Sequence, residues 1–197
     1  MTIRSTLIGC IAMLVMPPHA QTVQTDTLAA QFIAAVNAMR ADPPSFIDAI
    51  DSYVLEWQSF VKNKSELKKA AKEIKDILRK QQPLPPFLVD SNLTRAALEH
   101  ATDCDRMGVV GHIGSDGSNP LQRAQRHGTF EVVSEVITYG QPTAQEMLAA
   151  FLIDHDTPTR GHRMTILSTE FTHVGVVVMT HQQYRIQCVV DLGTPAP

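Results

Sequence analysis

The chain has 197 residues, of which 44% are apolar and 19% charged, a composition typical of one globular domain rather than of a disordered or fibrous chain. Its formal charge of −3, with no cluster of basic residues among aromatics, supplies no overall basic field for nucleic acid or anionic lipid. No segment after residue 20 is apolar enough to predict a membrane span.

The first twenty residues differ from the rest of the chain. Arg4 precedes the apolar run "STLIGCIAMLVM", and "PPHA" leads into Gln21. This order predicts a secretory signal peptide over 1–20, cleaved after Ala20, because the run is too short to span a bilayer. "LIGC" also resembles a lipoprotein box. We expect a secreted or periplasmic protein with a short segment at 21–27 and a single domain over 28–193.

Three helices are predicted first. Apolar residues at helical spacing over Leu28–Met39 end at Pro43 and Pro44, which cannot continue a helix. The next helix begins at Ser45, a suitable N-cap. The third is amphipathic and rich in lysine, over Lys62–Lys80. Its charged face is either solvated or, alternatively, contacts a membrane surface or a partner.

Strands dominate the second half. An extended connector, "QQPLPPF", leads to a helix with Ser91 near its cap and Cys104 on its apolar stripe. A short helix around Gln122–His127 precedes the strand "FEVVSEVITYG" and the helix "TAQEMLAAFLID". Two strands, "THVGVVVMT" and "YRIQCVVDL", then form a hairpin. Helices lead and strands follow, so the predicted class is α+β, with helices packed on a small mixed sheet.

Two cysteines, Cys104 and Cys188, remain after the predicted signal peptide. An even count in an oxidising compartment favours a disulfide, and two buried free thiols are the alternative. Cys104 also lies four residues after His100, a spacing that allows a shared metal but is more typical of a packed helix face.

The familiar catalytic signatures are absent: the chain has no H-E-x-x-H helix, G-x-S-x-G elbow, Walker loop or G-x-G-x-x-G loop. What remains is a scattered polar set of His112, Glu135, Asp154, His155, Asp156 and His162. Glu135 is the most informative, because an acid within the apolar strand "VVSEVI" is either buried and paired or exposed on an edge strand. A histidine or a cation would serve as its partner.

The order of these segments resembles the CAP superfamily of cysteine-rich secretory, antigen 5 and pathogenesis-related proteins. Bacterial members combine "LxxxAxxHxxDM", "SH", "DGSxPxxR", "GENI", "GHRxNIL" and "IGVG". This chain has "LTRAALEHATDCDRM", "GHIGSDGSNPLQR", "SEVI", "TRGHRMTIL" and "VGVVV" in the same order. The likeness covers about 28–193, with a lysine-rich helical insertion at about 58–82. The departures include Thr165 in place of the expected asparagine.

The resemblance implies a three-layer α/β/α sandwich with a small, mainly antiparallel sheet. It also implies a cleft lined by His112, Glu135, Asp154 and His162, in which the two histidines face each other. Such a cleft binds a small molecule, lipid or peptide and, optionally, a divalent metal through His112 and His162. Zinc is expected before magnesium or calcium, and no organic cofactor is expected. The chain is expected to be a monomer or weak dimer.

Two other functions stay open at this stage. A metal-dependent hydrolase would hold zinc on the two imidazoles and use Glu135 as general base. A purely structural interaction module would tolerate loss of all four cleft residues. Ligand binding without catalysis is the preferred hypothesis.

Overall fold

The computed structural model describes residues 18–197, with side chains from Thr25 onward. The predicted signal peptide therefore lies almost wholly outside the described residues. None of the described helices is both long and apolar enough to cross a bilayer. The helices are α1 (Pro18–Ala41), α2 (Ile47–Trp57), α3 (Lys64–Leu78), α4 (Ser91–Met107), α5 (Pro120–Gln125), α6 (Ala144–Ile153) and α7 (Gly161–Leu167).

Four strands form one sheet in the order β1-β3-β4-β2: β1 (Leu88–Val89), β2 (Phe130–Tyr139), β3 (His173–His181) and β4 (Arg185–Pro195). β1 runs parallel to β3, whereas β4 is antiparallel to both of its neighbours. The predicted α+β class with a mixed, mainly antiparallel sheet is confirmed. In the β2–β4 register, Glu135 lies opposite Asp191.

Helices cover both faces of the sheet. On one face, α4 buries Ala97 and Ala101 against Ile137 and Val189, and α5 packs beside it. The other face carries the larger core, built from the remaining long helices. Gly175 sets the distance between α4 and the sheet, because a Cβ there would lie 2.2 Å from backbone atoms of α4.

One predicted helix start differs from the structure and another is refined by it. Residues Pro43–Phe46 form a 3-10 turn before α2, and the Ser45 hydroxyl donates to the Asp42 carbonyl instead of capping a helix. At α4, Asp90 is the N-cap, since its carboxylate accepts hydrogen bonds from the first backbone amides, and Ser91 is the first helical residue. At α2 no side chain caps the first turn, whereas at α4 the neighbouring Asp90 supplies the cap.

The lysine-rich helix α3 is part of the core. Its apolar stripe is fully or almost fully buried against α2 and α6 through Leu67, Ala70, Ala71, Ile74 and Leu78. The side chain of Asn63 caps its first turn by accepting from the Glu66 amide. Burial of this one apolar stripe therefore stabilises the helix, while its lysines lie outside the core.

Cys104 and Cys188 are both buried free thiols. They lie on opposite faces of the sheet, because Cys188 belongs to the larger core whereas Cys104 is on α4. Of the two predicted alternatives, the structure therefore contains the two buried free thiols and not the disulfide. Burial raises the pKa of Cys104 to about 11, with further increases from the charges of Glu135 and Asp103.

Candidate functional site

The first half of the site joins the loop before α5 to strand β2. His112 Nδ1 lies 3.0 Å from Glu135 Oε1, and Arg123 Nη2 donates to Glu135 Oε2 at 2.7 Å. The Glu135 side chain is completely buried, so the alternative of an exposed edge-strand acid is wrong. A buried carboxylate of this kind is stable only because both oxygens have partners.

Arg123 holds the histidine loop in place. Asn119 and Gln122 form a reciprocal capping box at the start of α5, which fixes the helix that carries Arg123. The guanidinium then donates through Nη1 to the carbonyls of His112 and Ser118, at 3.0 and 2.9 Å. One buried cation therefore ties the loop, α5 and the Glu135 carboxylate together.

The second half of the site forms where α6 ends. Asp154 adopts a left-handed conformation, with φ 51° and ψ 45°, and its carboxylate turns back to the start of α7. It accepts hydrogen bonds from the His162 backbone amide and pairs with His162 Nδ1, both at 2.9 Å. Burial acts to raise the pKa of Asp154, but its hydrogen bond with His162 and the His162 charge outweigh burial and lower it.

Helix α3 supports this second half directly. Arg160 pairs with Glu66 and Glu73 of α3 and donates to the Asp154 carbonyl at 2.7 Å. Arg163 is buried and donates to carbonyls at the end of α6 and to the Ala70 carbonyl of α3. The segment predicted as an insertion thus braces the loop that positions Asp154 and His162.

The two halves meet at the partly exposed rings of His112 and His162, and this site is called the cleft below. The ring centroids of His112 and His162 are 6.3 Å apart, and the structure brings together all four residues that the sequence analysis placed there. Phe151 packs against the His162 ring, with centroids 5.7 Å apart. A small cavity of about 150 Å³ extends from His162 towards Tyr53 and α6.

Two departures from the family pattern contact each other. The hydroxyl groups of Ser134 and Thr165 lie 3.3 Å apart, linking β2 directly to α7. Ser134 replaces the glycine of "GENI", and Thr165 replaces the asparagine of "GHRxNIL". The pair therefore joins the strand of Glu135 to the helix of His162 with residues that differ from the common motif.

Both histidines of the site could serve as metal ligands through Nε2. Each histidine uses Nδ1 for its carboxylate, which is the arrangement that presents Nε2 as a metal ligand and increases its basicity. Within residues 18–197, no group of three or more histidine, cysteine, aspartate or glutamate side chains is arranged to hold an ion. The described residues thus offer a cation at most two imidazole donors here, and they do not form a closed four-ligand site.

Sequence reasoning did not connect three buried residues with Glu135. Arg123 is its cationic partner, and His100 Nε2 lies 3.7 Å from it while contacting the Gly111 carbonyl at 2.8 Å. Asp191 is completely buried opposite Glu135, and neither of its oxygens has a donor among the described residues. Burial raises the pKa of Asp191 well above its usual value, and the Glu135 charge raises it further. The sequence signal for Asp191 was its position as an acid within the apolar run "CVVDL", the same kind of signal that identified Glu135.

Comparison with known proteins is consistent with this architecture. The sequence profile of the CAP, or cysteine-rich secretory protein, family matches residues 33–191. The match covers most of the chain, and the chain belongs to this family. The family and the fold predicted from the sequence are therefore confirmed.

Individual relatives are distant. The uncharacterized protein YkwD of Bacillus subtilis is 27% identical over 113 residues, which are 57% of this chain and 42% of that protein. The chain thus spans less than half the length of this curated relative. An outer surface protein from Borrelia burgdorferi superimposes with a TM-score of 0.51 at 21% identity, covering 69% of this chain and 97% of that one. An extracellular Bacillus anthracis protein containing an SCP domain gives a TM-score of 0.48 at 21% identity, covering 62% and 39%.

Proposed function

We propose that this CAP-domain protein is exported and binds a small-molecule, lipid or peptide ligand in the cleft between His112 and His162, together with a divalent cation. The proposal rests on one observation: the two histidines, each paired with a carboxylate, face each other with ring centroids 6.3 Å apart. Zinc suits imidazole donors better than magnesium or calcium does. When bound, it would supply Lewis acidity and open positions for the ligand.

Exposed apolar residues near both histidines in the sequence favour a ligand with an apolar part. Val110 and Ile113 flank His112 in the chain and are 53% and 61% exposed, and Met164, two residues after His162, is 66% exposed. In our proposal, exposed apolar side chains next to both histidines in the chain supply contact area for a hydrophobic group. Lipids and apolar peptides combine such a group with a polar end that the histidines can bind.

Ligand binding is preferred to hydrolysis because of Glu135. Its two oxygens are engaged by His112 and Arg123, and its side chain has no exposed surface. A general base needs a free lone pair within reach of the reacting proton. In our proposal Glu135 orients His112, and Asp154 orients His162 in the same way. The hydrolase alternative would need Glu135 to leave Arg123.

Zinc titration calorimetry tests the metal part. The wild type is expected to bind one zinc, and His112→Ala or His162→Ala to weaken binding at least tenfold, as loss of a ligand requires. Binding should also weaken between about pH 7.5 and about pH 5.5, because imidazole ligates only when deprotonated. His173→Ala, outside the cleft, is the control. Equal binding by all four proteins would remove both histidines from any metal site.

A second pair of measurements tests ligand binding and export. A peptide library incubated with the zinc-loaded protein should be bound but not cleaved, whereas cleavage that His162→Ala abolishes would support the hydrolase. Expression of the whole chain in a bacterial host should give a mature protein starting at Gln21, read by mass spectrometry of the medium or periplasm. A full-length product retained in the cytoplasm would contradict export.

A further inference from the structure

Helix α3 separates its charges onto two flanks. At 100° per residue, Glu66 and Glu73 fall on one side of the buried stripe, where they pair with Arg160. Lys64, Lys68 and Lys72 fall on the other side, spaced by four residues. Like charges at this spacing destabilise a helix by about 0.2–0.5 kcal/mol per pair. The stability of the helix therefore explains Lys72, which pairs with Asp76 one turn later, but not Lys64 or Lys68.

The residues 58–80 contain eight basic and three acidic side chains, although the whole chain has an acidic balance. Some of these cations are paired: Lys72 and Arg79 with Asp76, and Lys75 with Asp51. In the described part of the chain, no carboxylate lies within ion-pair distance of Lys62, Lys64, Lys68 or Lys69. The overall charge of −3 hides this local basic face.

Exposed apolar side chains adjoin the same face. Phe60, in the turn between α2 and α3, is 78% exposed and lies two residues before Lys62. Leu55 is 72% exposed and lies one helical turn after Asp51, the residue that pairs with Lys75. Glu56 faces away from α3, into a depression shared with Asp48 and Glu146. The turn therefore presents an aromatic ring beside uncompensated lysines.

We propose that this basic face, defined by Leu55, Phe60, Lys62, Lys64 and Lys68, docks the protein on the surface of an anionic phospholipid bilayer. The lysines attract acidic headgroups, and Phe60 enters the boundary between headgroups and acyl chains. A soluble polyanion would use the lysines but would leave Phe60 and Leu55 in water. The cleft remains accessible, because Glu66 and Glu73, which brace its loop, lie on the opposite flank of α3. The proposal is independent of what the cleft binds.

Vesicle sedimentation tests the docking. The protein should bind vesicles in which roughly a third of the phosphatidylcholine is replaced by phosphatidylglycerol, and should not bind pure phosphatidylcholine. Each of Lys62→Gln, Lys64→Gln and Lys68→Gln should weaken binding about fivefold, and raised salt should weaken the wild type. Phe60→Ser should weaken binding about tenfold without changing its salt dependence.

Two matched variants serve as controls. Lys80→Gln removes a lysine at the far end of α3, and Leu98→Ser removes an exposed apolar residue of α4. Both should bind vesicles as the wild type does, and circular dichroism should show that every variant is folded. Failure of the wild type to bind anionic vesicles would overturn the proposal. It would also be overturned if Phe60→Ser bound normally and dextran sulfate bound the wild type as tightly as vesicles do, because the face would then serve a soluble polyanion.

Discussion

Asp191 lies directly opposite Glu135 in the ladder between β2 and β4, and of these two buried carboxyl groups only Glu135 has the salt bridge to Arg123. Side chains opposite each other in an antiparallel pair have Cβ atoms about 4.5–5.5 Å apart. Two negative charges so close in a buried environment are unfavourable. Asp191 is therefore the carboxyl group of this pair whose pKa is raised, while both oxygens of Glu135 are held by His112 and Arg123.

This arrangement predicts an unusual pH dependence of stability. Because the pKa of Asp191 is raised in the folded protein, the folded state keeps a proton that the unfolded state loses above about pH 3.9. The contribution of Asp191 to the free energy of unfolding should fall by about 1.4 kcal/mol per pH unit from there up to its folded pKa. Asp191→Asn should lack this loss.

Urea denaturation of both proteins between about pH 4 and about pH 8 would measure the difference. Near the lower limit the two should be similarly stable, since both side chains are neutral and of equal size. Towards neutral pH, Asp191→Asn should become the more stable protein. A difference that stays constant over the whole range would show that Asp191 does not titrate differently in the folded state.

Gly175 provides a test of the packing between α4 and the sheet. The Cβ of Gly175→Ala would lie 2.2 Å from the Leu93 carbonyl carbon and the Thr94 nitrogen, and backbone atoms cannot move aside as side chains do. We expect a loss of about 3 kcal/mol or more in the free energy of unfolding. Gly161→Ala is the control, because its nearest neighbour would be 3.7 Å away. Similar stability of both variants would contradict the close approach of α4.

The difference between what the sequence predicted and what it missed is physical. Each main helix and each long strand could be predicted, because an apolar stripe of 3.6-residue period or a continuous apolar run depends only on residues that are close in sequence. The four cleft residues followed from the order of motifs. Arg123 and Asp191 could not be paired with Glu135, because that pairing depends on the register of β2 with β4 and on the position of α5. Such contacts join residues far apart in sequence.

The role of α3 illustrates the same limit. Its amphipathic pattern predicted a helix with one buried stripe, and this is confirmed. The pattern did not indicate which of its charges are used, since Glu66 and Glu73 find Arg160 roughly ninety residues away, as only tertiary packing brings them together. A segment interpreted as an insertion therefore supports the cleft.

The two thiols give a prediction on redox chemistry. In a Cys10→Ser background, unfolding in denaturant without reductant should expose two reactive thiols per chain, and the native protein should react slowly with a thiol reagent. Burial removes access and raises the pKa of Cys104 to about 11 and that of Cys188 further, so little thiolate is present near pH 8. Absence of thiols after unfolding would show that a disulfide had formed between faces that the structure separates.

Asp154 combines a backbone role with a side-chain role, and substitutions can separate them. Its φ of 51° is tolerated by asparagine but costs alanine about 1 kcal/mol, and its carboxylate holds the His162 amide and ring. Asp154→Ala should lower the free energy of unfolding by about 2–4 kcal/mol in metal-free buffer, and Asp154→Asn by about 1 kcal/mol. Both should weaken zinc binding about tenfold or more, because His162 loses its charged partner.

Asp156, with φ 61° and an exposed side chain, supplies the control: Asp156→Ala should show only the backbone cost and normal zinc binding. Equal losses at the two positions would mean that the Asp154 carboxylate does not organise the His162 side of the cleft.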